Sequence, residues 1–156
     1  MQEFKQLLVV YHSRSGNTAA MAEAVVDGAR SDDIDGVNVV VSDALTITPD
    51  ELMRADGLIL GTPENFGYMS GAMKMFFETI YYPCLEHTQG LPYACFIRAG
   101  NDGQGALASM TRIINGLRWK QVLAPIIVVG EIDEADLHAC RELGMSVAAG
   151  LESGIF

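Results

Sequence analysis

Five short, largely apolar segments alternate with stretches of helical periodicity along the whole chain, and this alternation most constrains the fold. The apolar segments are residues 7–10, 37–41, 58–60, 94–97 and 125–130. Continuously apolar strands are typical of a parallel sheet covered on both faces by helices. Because crossovers between parallel strands are right-handed, few topologies remain. We therefore predict a three-layer α/β domain with a five-stranded parallel sheet in the doubly wound order 2-1-3-4-5.

The segments between the strands carry the signals of helices. Apolar residues recur at helical spacing within residues 18–30, 69–80, 106–119 and 133–151. Thr48, followed by Pro49 and Glu51, predicts the start of a further short helix. Pro83 is expected to end the third helix, since proline disfavours helical backbone in the residue before it. Asp133 is expected to cap the last helix.

Length, charge and cysteine content bound the classes of function. A chain of 156 residues with 49% hydrophobic residues suits one domain spanning residues 1–156. Its formal net charge of −10 argues against a nucleic-acid partner and against docking on an anionic membrane, but fits a basic protein partner. The three cysteines include no C-x-x-C pair. With no signal-peptide pattern and no membrane-spanning run, we expect a cytoplasmic protein without membrane insertion.

The turn after the first predicted strand suits an anion. Residues 13–18 read Ser-Arg-Ser-Gly-Asn-Thr, with three hydroxyl side chains and no acid. A helix that begins here points its unpaired N–H groups and the positive end of its dipole into the turn. Gly16 lets the backbone approach an anion without a Cβ in the way. The turn matches neither the nucleoside-triphosphate P-loop nor the dinucleotide fingerprint. It indicates either a phosphate site or an ordinary capped helix.

Three loops should meet at one edge of the predicted sheet. Ligands of open α/β sheets bind beyond the carboxyl ends of the strands, at the switch point of the topology. The loops at that edge are residues 13–18, 62–67 and 99–105, and all three are rich in Gly, Asn and small polar residues. The loop after the second strand, residues 42–47, is an ordinary mixture. We expect a phosphate on the first loop and a planar group between the other two.

These loops resemble those of a known family. Residues 13–18 resemble the phosphate loop of flavodoxins, and residues 62–74 resemble the flavin loop of WrbA-type flavodoxin-like proteins. The second segment is also similar to the Pro-Glu-Tyr-Asn loop of NADPH-dependent FMN reductases. The resemblance covers nearly the whole chain and implies a flavodoxin-like fold that binds FMN. By matching position, the residues implied to contact FMN are Ser13, Arg14, Ser15, Gly16, Asn17, Thr18, Thr62, Pro63, Glu64, Asn65, Phe66, Gly67, Ala99, Gly100, Asn101, Asp102 and Gly103.

The resemblance leaves the role of the flavin open. Phe66 and Tyr68 are the aromatic residues of the second loop, and the third loop has none. One flavin face would then stay open, as hydride exchange requires. The first hypothesis is an FMN-dependent NAD(P)H oxidoreductase that passes hydride to a quinone or similar small acceptor. The resemblance also implies that such an enzyme is a homodimer. The flavin carries this chemistry, so no side chain is expected to be catalytic and no metal is expected.

Two alternatives remain beside the enzyme. The first is a flavodoxin that carries single electrons between protein partners, which the acidic composition supports. The second is a binding module that has kept the fold and lost the flavin. The chain is too short to hold in full the extra segment with which WrbA-type quinone reductases form tetramers. The sequence favours neither NADH nor NADPH as the electron donor.

Three further patterns are better explained by structure than by function. Cys84 and His87 form a C-x-x-H spacing, but one pair supplies too few ligands for structural zinc. Residues 103–108 match G-x-G-x-x-A, yet they follow the fourth strand rather than the first. His12, which borders the first loop, is more simply a strand-end histidine with a hydrogen-bonded partner.

Overall fold

The computed structural model describes residues 3–156, in which five helices separate the strands of one sheet. The elements are β1 (Lys5–Tyr11), α1 (Asn17–Ala29), β2 (Val37–Asp43), α2 (Pro49–Met53), β3 (Gly57–Asn65), β4 (Tyr68–Met69), α3 (Gly71–Cys84), β5 (Pro92–Ala99), α4 (Gln104–Leu117), β6 (Lys120–Gln121), β7 (Ile126–Val129) and α5 (Glu134–Ser153). Thr48 caps α2 and Asp133 caps α5 through their side chains, as predicted.

The strands form one sheet in the order β2-β1-β3-β5, with β6 and β7 both paired to β5 at the far edge. These pairs are parallel, whereas β4 forms a short antiparallel hairpin with β3. The predicted order is confirmed, but the sheet has seven strands rather than five. The last predicted strand, residues 125–130, corresponds to β7, which begins after Pro125 because proline has no N–H to donate to a ladder. The two strands that were not predicted are β4 and β6.

Helices cover both faces of the sheet, so the predicted three-layer α/β architecture is confirmed. One core cluster holds Leu8 and Val10 together with residues of α2, α3 and α4. The other holds Leu7 and Val9 together with residues of α1 and α5. Successive side chains of a strand point to opposite faces, which places neighbouring residues of β1 in different clusters.

The predicted end of the third helix at Pro83 is wrong. The helix α3 continues through Pro83 to Cys84. A proline removes one N–H and crowds the carbonyl four residues earlier, but here a single helical residue follows it. The Cys84 side chain is fully buried, and its Sγ lies 3.7 Å from the carbonyl oxygen of Pro49. Packing therefore holds the last turn of α3 in place.

The fourth long helix is displaced by two residues at each end from the predicted 106–119, because glycine and arginine backbones bound it. Gly103 at its start and Arg118 at its end both adopt left-handed conformations, with φ of 73° and 60°. Trp119 thus lies outside α4, where its ring is buried and its Nε1 donates to Thr88 Oγ1 at 2.9 Å.

Within residues 3–156, no helix combines the length and apolarity needed to cross a bilayer. Over the same range, no three His, Cys, Asp or Glu side chains are grouped so as to hold a metal ion. Cys84, Cys95 and Cys140 are free thiols, and all three are buried.

Candidate functional site

The first loop leads into a helix whose start is left free for a ligand. Gly16 precedes α1 with a left-handed φ of 93°, and in residues 3–156 no side chain caps the helix. The first turn of α1 contains no acid. A Cβ added to Gly16 would meet no heavy atom of the described chain within 4 Å. By contrast, side chains cap α2, α3 and α5. The start of α1 therefore offers unpaired N–H groups at an open, non-acidic surface, which suits an anion.

The side chains of this loop differ in their accessibility. Arg14 and Ser15 are exposed, Ser13 is half-buried, and Thr18 is buried. Ser13 Oγ accepts a hydrogen bond from Gly16 N at 3.1 Å, which closes the turn on itself. Asn17 is the first residue of α1. The predicted phosphate residues therefore lie together around one helix start.

The second loop is mostly a β-hairpin, and this hairpin was not predicted from the sequence. The strand β3 was predicted to end at residue 60, but it continues to Asn65, with Thr62 and Pro63 paired to β5. Phe66 and Gly67 then form the turn to β4, with φ of 54° and 66°. Positive φ at both central residues is the pattern of a type I′ hairpin turn. The turn places the Phe66 side chain fully in solvent.

The helix α4 packs against this hairpin. Met69 N donates to Ser109 Oγ at 3.1 Å. A Cβ on Gly105 would lie 1.9 Å from the carbonyl oxygen of Gly67, so only glycine permits this approach. Ser70 N donates to the buried Thr62 Oγ1 at 3.0 Å, which closes the base of the hairpin. Gly105 was placed in the third loop but not among the predicted site residues, and Ser109 was not predicted. The two glycines in residues 103–105 were the available signal.

The third loop is tied to the second through one carboxylate. Glu64 Oε1 accepts a hydrogen bond from Asn101 N at 3.0 Å. Asp102 Oδ1 accepts from Gln104 N at 3.0 Å, at the start of α4. Gly100 lies in open space, with nothing in the described chain within 4 Å of an added Cβ. The two loops therefore form one connected frame.

Ala99 and Gly103 are the predicted site residues of the third loop that turn away from solvent. Ala99 is the last residue of β5 and its side chain is fully buried in a core cluster. Gly103 is also buried, and its left-handed backbone begins α4. Both can offer a ligand backbone atoms only. The exposed members of this loop are Gly100, Asn101 and Asp102.

His12 lies next to the first loop beside a carboxylate. Its Nδ1 is buried and has no hydrogen-bond partner in the described part of the chain. The nearest acid is Asp43 at the end of β2, whose Oδ2 lies 3.6 Å from Nδ1. The other oxygen of Asp43 accepts from Leu45 N at 2.7 Å. The strand-end histidine thus lies beside a carboxylate, but the hydrogen-bonded partner expected from the sequence is not found for Nδ1 among the described residues.

The C-x-x-H pair lies away from the three loops. Cys84 ends α3, at the opposite end of that helix from the hairpin. Burial, with a smaller contribution from the nearby charge of Asp50, raises the pKa of the Cys84 thiol. A raised pKa makes a thiol a poor nucleophile. The geometry therefore supports the structural explanation of this pair.

Comparison with known proteins identifies a family model and several related proteins. The flavodoxin family model matches residues 9–144. A flavodoxin of Aquifex aeolicus (strain VF5) is 29% identical over 92% of this chain and 85% of the relative. The quinone-oxidoreductase QR2 of Triphysaria versicolor is 31% identical over 69% of this chain and 64% of the relative.

Solved structures with a similar fold include proteins of the same kinds. A flavodoxin from the domain Archaea superposes with a TM-score of 0.80 at 27% identity, over 94% of this chain and 98% of that one. The flavodoxin, WrbA-like protein of Agrobacterium tumefaciens gives a TM-score of 0.74 at 26% identity, over 93% of this chain and 96% of that one. The similar proteins thus include ones named as flavodoxins and one named as a quinone oxidoreductase.

Proposed function

This chain belongs to the flavodoxin family, and from that premise we propose that it is an FMN-dependent NAD(P)H oxidoreductase that reduces a quinone or a similar small acceptor. Membership of the family implies FMN as the cofactor. When bound, FMN supplies one- and two-electron redox chemistry, and the protein positions it and excludes competing reactions.

The residues of the first loop fit the phosphate of FMN. The uncapped start of α1 and the open space at Gly16 leave backbone N–H groups free to donate to phosphate oxygens. The hydroxyl groups of Ser15 and Thr18 would add donors there, and the exposed Arg14 would add a positive charge. Asn17, as the first helical residue, would contribute its N–H group.

The connected frame of the second and third loops fits the ring. The backbone from Pro63 to Gly67 and the exposed residues 100–102 would border the ring on two sides. The hydrogen bond from Asn101 N to Glu64 would hold these two walls at a constant separation. The role of Glu64 is then to position the loops rather than to transfer a proton.

One observation carries the choice of an oxidoreductase over a carrier. An aromatic side chain, Phe66, stands at the tip of the second loop, whereas residues 99–103 of the third loop contain none. A ring in this frame would have an aromatic neighbour on one side only. The other face would stay accessible to a nicotinamide and then to an acceptor. The similarity to a quinone oxidoreductase supports the same choice.

Anaerobic mixing of the FMN-loaded protein with NADPH or NADH tests this proposal. We expect the visible flavin absorbance to bleach within minutes and to return when a quinone is added. Dithionite serves as the control, since it reduces accessible flavin without a binding site for nicotinamide. Flavin that dithionite bleaches and both nicotinamides leave unchanged would contradict the proposal.

A flavodoxin acting as a one-electron carrier is the second candidate. It is favoured by the Aquifex relative, which this chain matches over 85% of its length, and by the net charge of −10, which suits a basic redox partner. Two separate one-electron steps in a reductive titration, with no reaction toward nicotinamides, would select this candidate. The enzyme is further proposed to be a homodimer, which sedimentation equilibrium would test.

A further inference from the structure

A groove between α3 and α4 begins beside the β3–β4 hairpin and follows both helices away from it. Near the hairpin it has a volume of about 610 Å³ and is lined by Tyr68, Lys74, Ser109 and Arg112, among others. Farther along, a second section of about 390 Å³ shares Lys74 and Arg112 and adds Tyr81 and Tyr82. The shared residues join the two sections into one groove.

The charge of this groove is opposite to that of the protein. The chain has twice as many acids as bases, 20 against 10. The groove is lined by the two bases Lys74 and Arg112 and by the acid Glu78. Lys74 Nζ lies 3.7 Å from Glu78 Oε2, whereas Arg112 makes no ion pair with any residue among 3–156. Arg112 is therefore the uncompensated cation of the groove.

Tyrosine rings supply flat apolar surface on both sides of Arg112. Tyr68 and Tyr82 remain 42% and 81% exposed, although large aromatic side chains are usually buried. The Tyr81 and Tyr82 rings meet edge-on, with their centroids 5.2 Å apart. A Cβ on Gly116 would lie 2.4 Å from the Tyr81 hydroxyl, so this glycine leaves room for the ring in the groove.

The order of these groups along the groove matches the order of groups in an adenine dinucleotide. A helix rises about 1.5 Å per residue, so Lys74 lies about 5 Å and Tyr81 about 15 Å along α3 from Gly71. A nicotinamide at the flavin would therefore be followed by phosphates near the cations and by adenine near the tyrosines. An arginine guanidinium binds phosphate by paired hydrogen bonds, and aromatic rings stack on adenine.

The geometry points to this groove as the binding site for the phosphorylated adenosine half of NADPH, with Arg112 contacting the 2′-phosphate. The inference rests on the proposed function and extends it by naming NADPH rather than NADH as the donor. Apart from Tyr68, which lies on β4, the groove residues named above belong to α3 and α4 rather than to the predicted FMN contacts.

Calorimetric titration of the FMN-loaded protein with adenosine 2′,5′-bisphosphate and with 5′-AMP tests the inference without any turnover. We expect the bisphosphate to bind at least tenfold more tightly than 5′-AMP, and Arg112→Gln to remove most of that difference. Arg118→Gln is the matched control, because it removes the same charge just past the end of α4, where Arg118 faces Glu86 at 3.7 Å. This control should bind both probes as the wild-type chain does.

Equal binding of the two probes, or an unchanged preference in Arg112→Gln, would overturn the inference. Flavin reduction by NADH in such a protein would still support an oxidoreductase, so the two failures are distinguishable. A second copy of the chain seated in the groove would also overturn it. That arrangement predicts that Arg112→Gln shifts the sedimentation equilibrium and that neither probe binds the dimer.

Discussion

At Phe66 two features that destabilise a folded chain coincide in one residue. Its backbone is left-handed, with φ of 54°, which costs a residue with a Cβ about 1–2 kcal/mol. Its ring is fully exposed, so no burial offsets that cost. Asn followed by Gly is the preferred sequence for this type of turn, because asparagine tolerates the conformation. A phenylalanine retained here indicates a use for the ring outside the folded chain.

Phe66→Asn should therefore stabilise the protein while weakening its hold on FMN. We expect the free energy of unfolding to rise by about 1 kcal/mol, measured by urea denaturation without FMN. The loss of an aromatic contact of about 1 kcal/mol should raise the dissociation constant for FMN roughly fivefold, measured by flavin fluorescence. Phe66→Ala is the control, since it removes the ring and keeps the backbone strain. FMN affinity unchanged in both variants would show that the ring does not contact the flavin.

At the scale of elements, α1 and α5 touch through their backbones. A Cβ on Gly28 of α1 would lie 1.9 Å from the carbonyl oxygen of Arg141, and a Cβ on Gly144 of α5 would lie 1.9 Å from that of Val25. The contact is thus reciprocal, with one glycine on each helix facing the backbone of the other. Because α1 begins at the phosphate loop, this contact also fixes the position of that loop.

Gly28→Ala should destabilise the protein even though alanine favours helix. Overpacking of this kind costs about 1–3 kcal/mol, which exceeds the gain of about 1 kcal/mol in helix propensity. We expect a net loss in the free energy of unfolding, measured by urea denaturation. Gly71→Ala is the matched control, because a Cβ there meets nothing in the described chain within 4 Å, and it should be neutral or stabilising. A Gly28→Ala variant as stable as Gly71→Ala would mean that the helices can separate freely.

The elements also show what could be predicted from the sequence and what could not. Apolar runs located the five strand positions, and the rules for parallel sheets then brought the three loops to one edge. The hairpin was missed because Phe66 gives no turn signal and Pro63 argues against a strand. The hydrogen bonds from Asn101 to Glu64 and from Met69 to Ser109 join residues 37 and 40 positions apart. No local pattern encodes such pairs, since they arise from the packing of α4 on the hairpin.

At the scale of the whole molecule, the buried thiols make stability depend on alkaline pH. Burial raises the pKa of Cys95, on the central strand β5, to about 12. Burial is also the main cause that raises the pKa of Cys140, on α5, to about 11. In the unfolded chain both thiols titrate near 9.0. One thiol lies in the sheet and the other on an outer helix, so together they report on the core as a whole.

Whether stability rises or falls with pH depends on whether the folded or the unfolded chain keeps its thiol protons. Below pH 9 both states hold the thiol protons and the stabilisation is complete. Above pH 9 the unfolded chain loses protons that the folded chain retains, so the free energy of unfolding falls as the pH rises toward 11–12. Each thiol contributes about 1.4 kcal/mol per pH unit in the steepest part of this range.

Urea denaturation at pH 8 and pH 10 tests this by comparing the wild-type chain with a variant that lacks both thiols. Burial also raises the pKa of Tyr93 above 10.0, but that contribution is present in both proteins. We expect the wild-type chain to lose about 2–3 kcal/mol between the two pH values through these two thiols. The Cys95→Ala, Cys140→Ala double variant will start from a lower stability, since alanine fills less of the core, but its loss with pH should be smaller by that amount. An equal loss in both proteins would mean that water reaches the thiols in the folded state, and the sheet and α5 would then open together well below the transition.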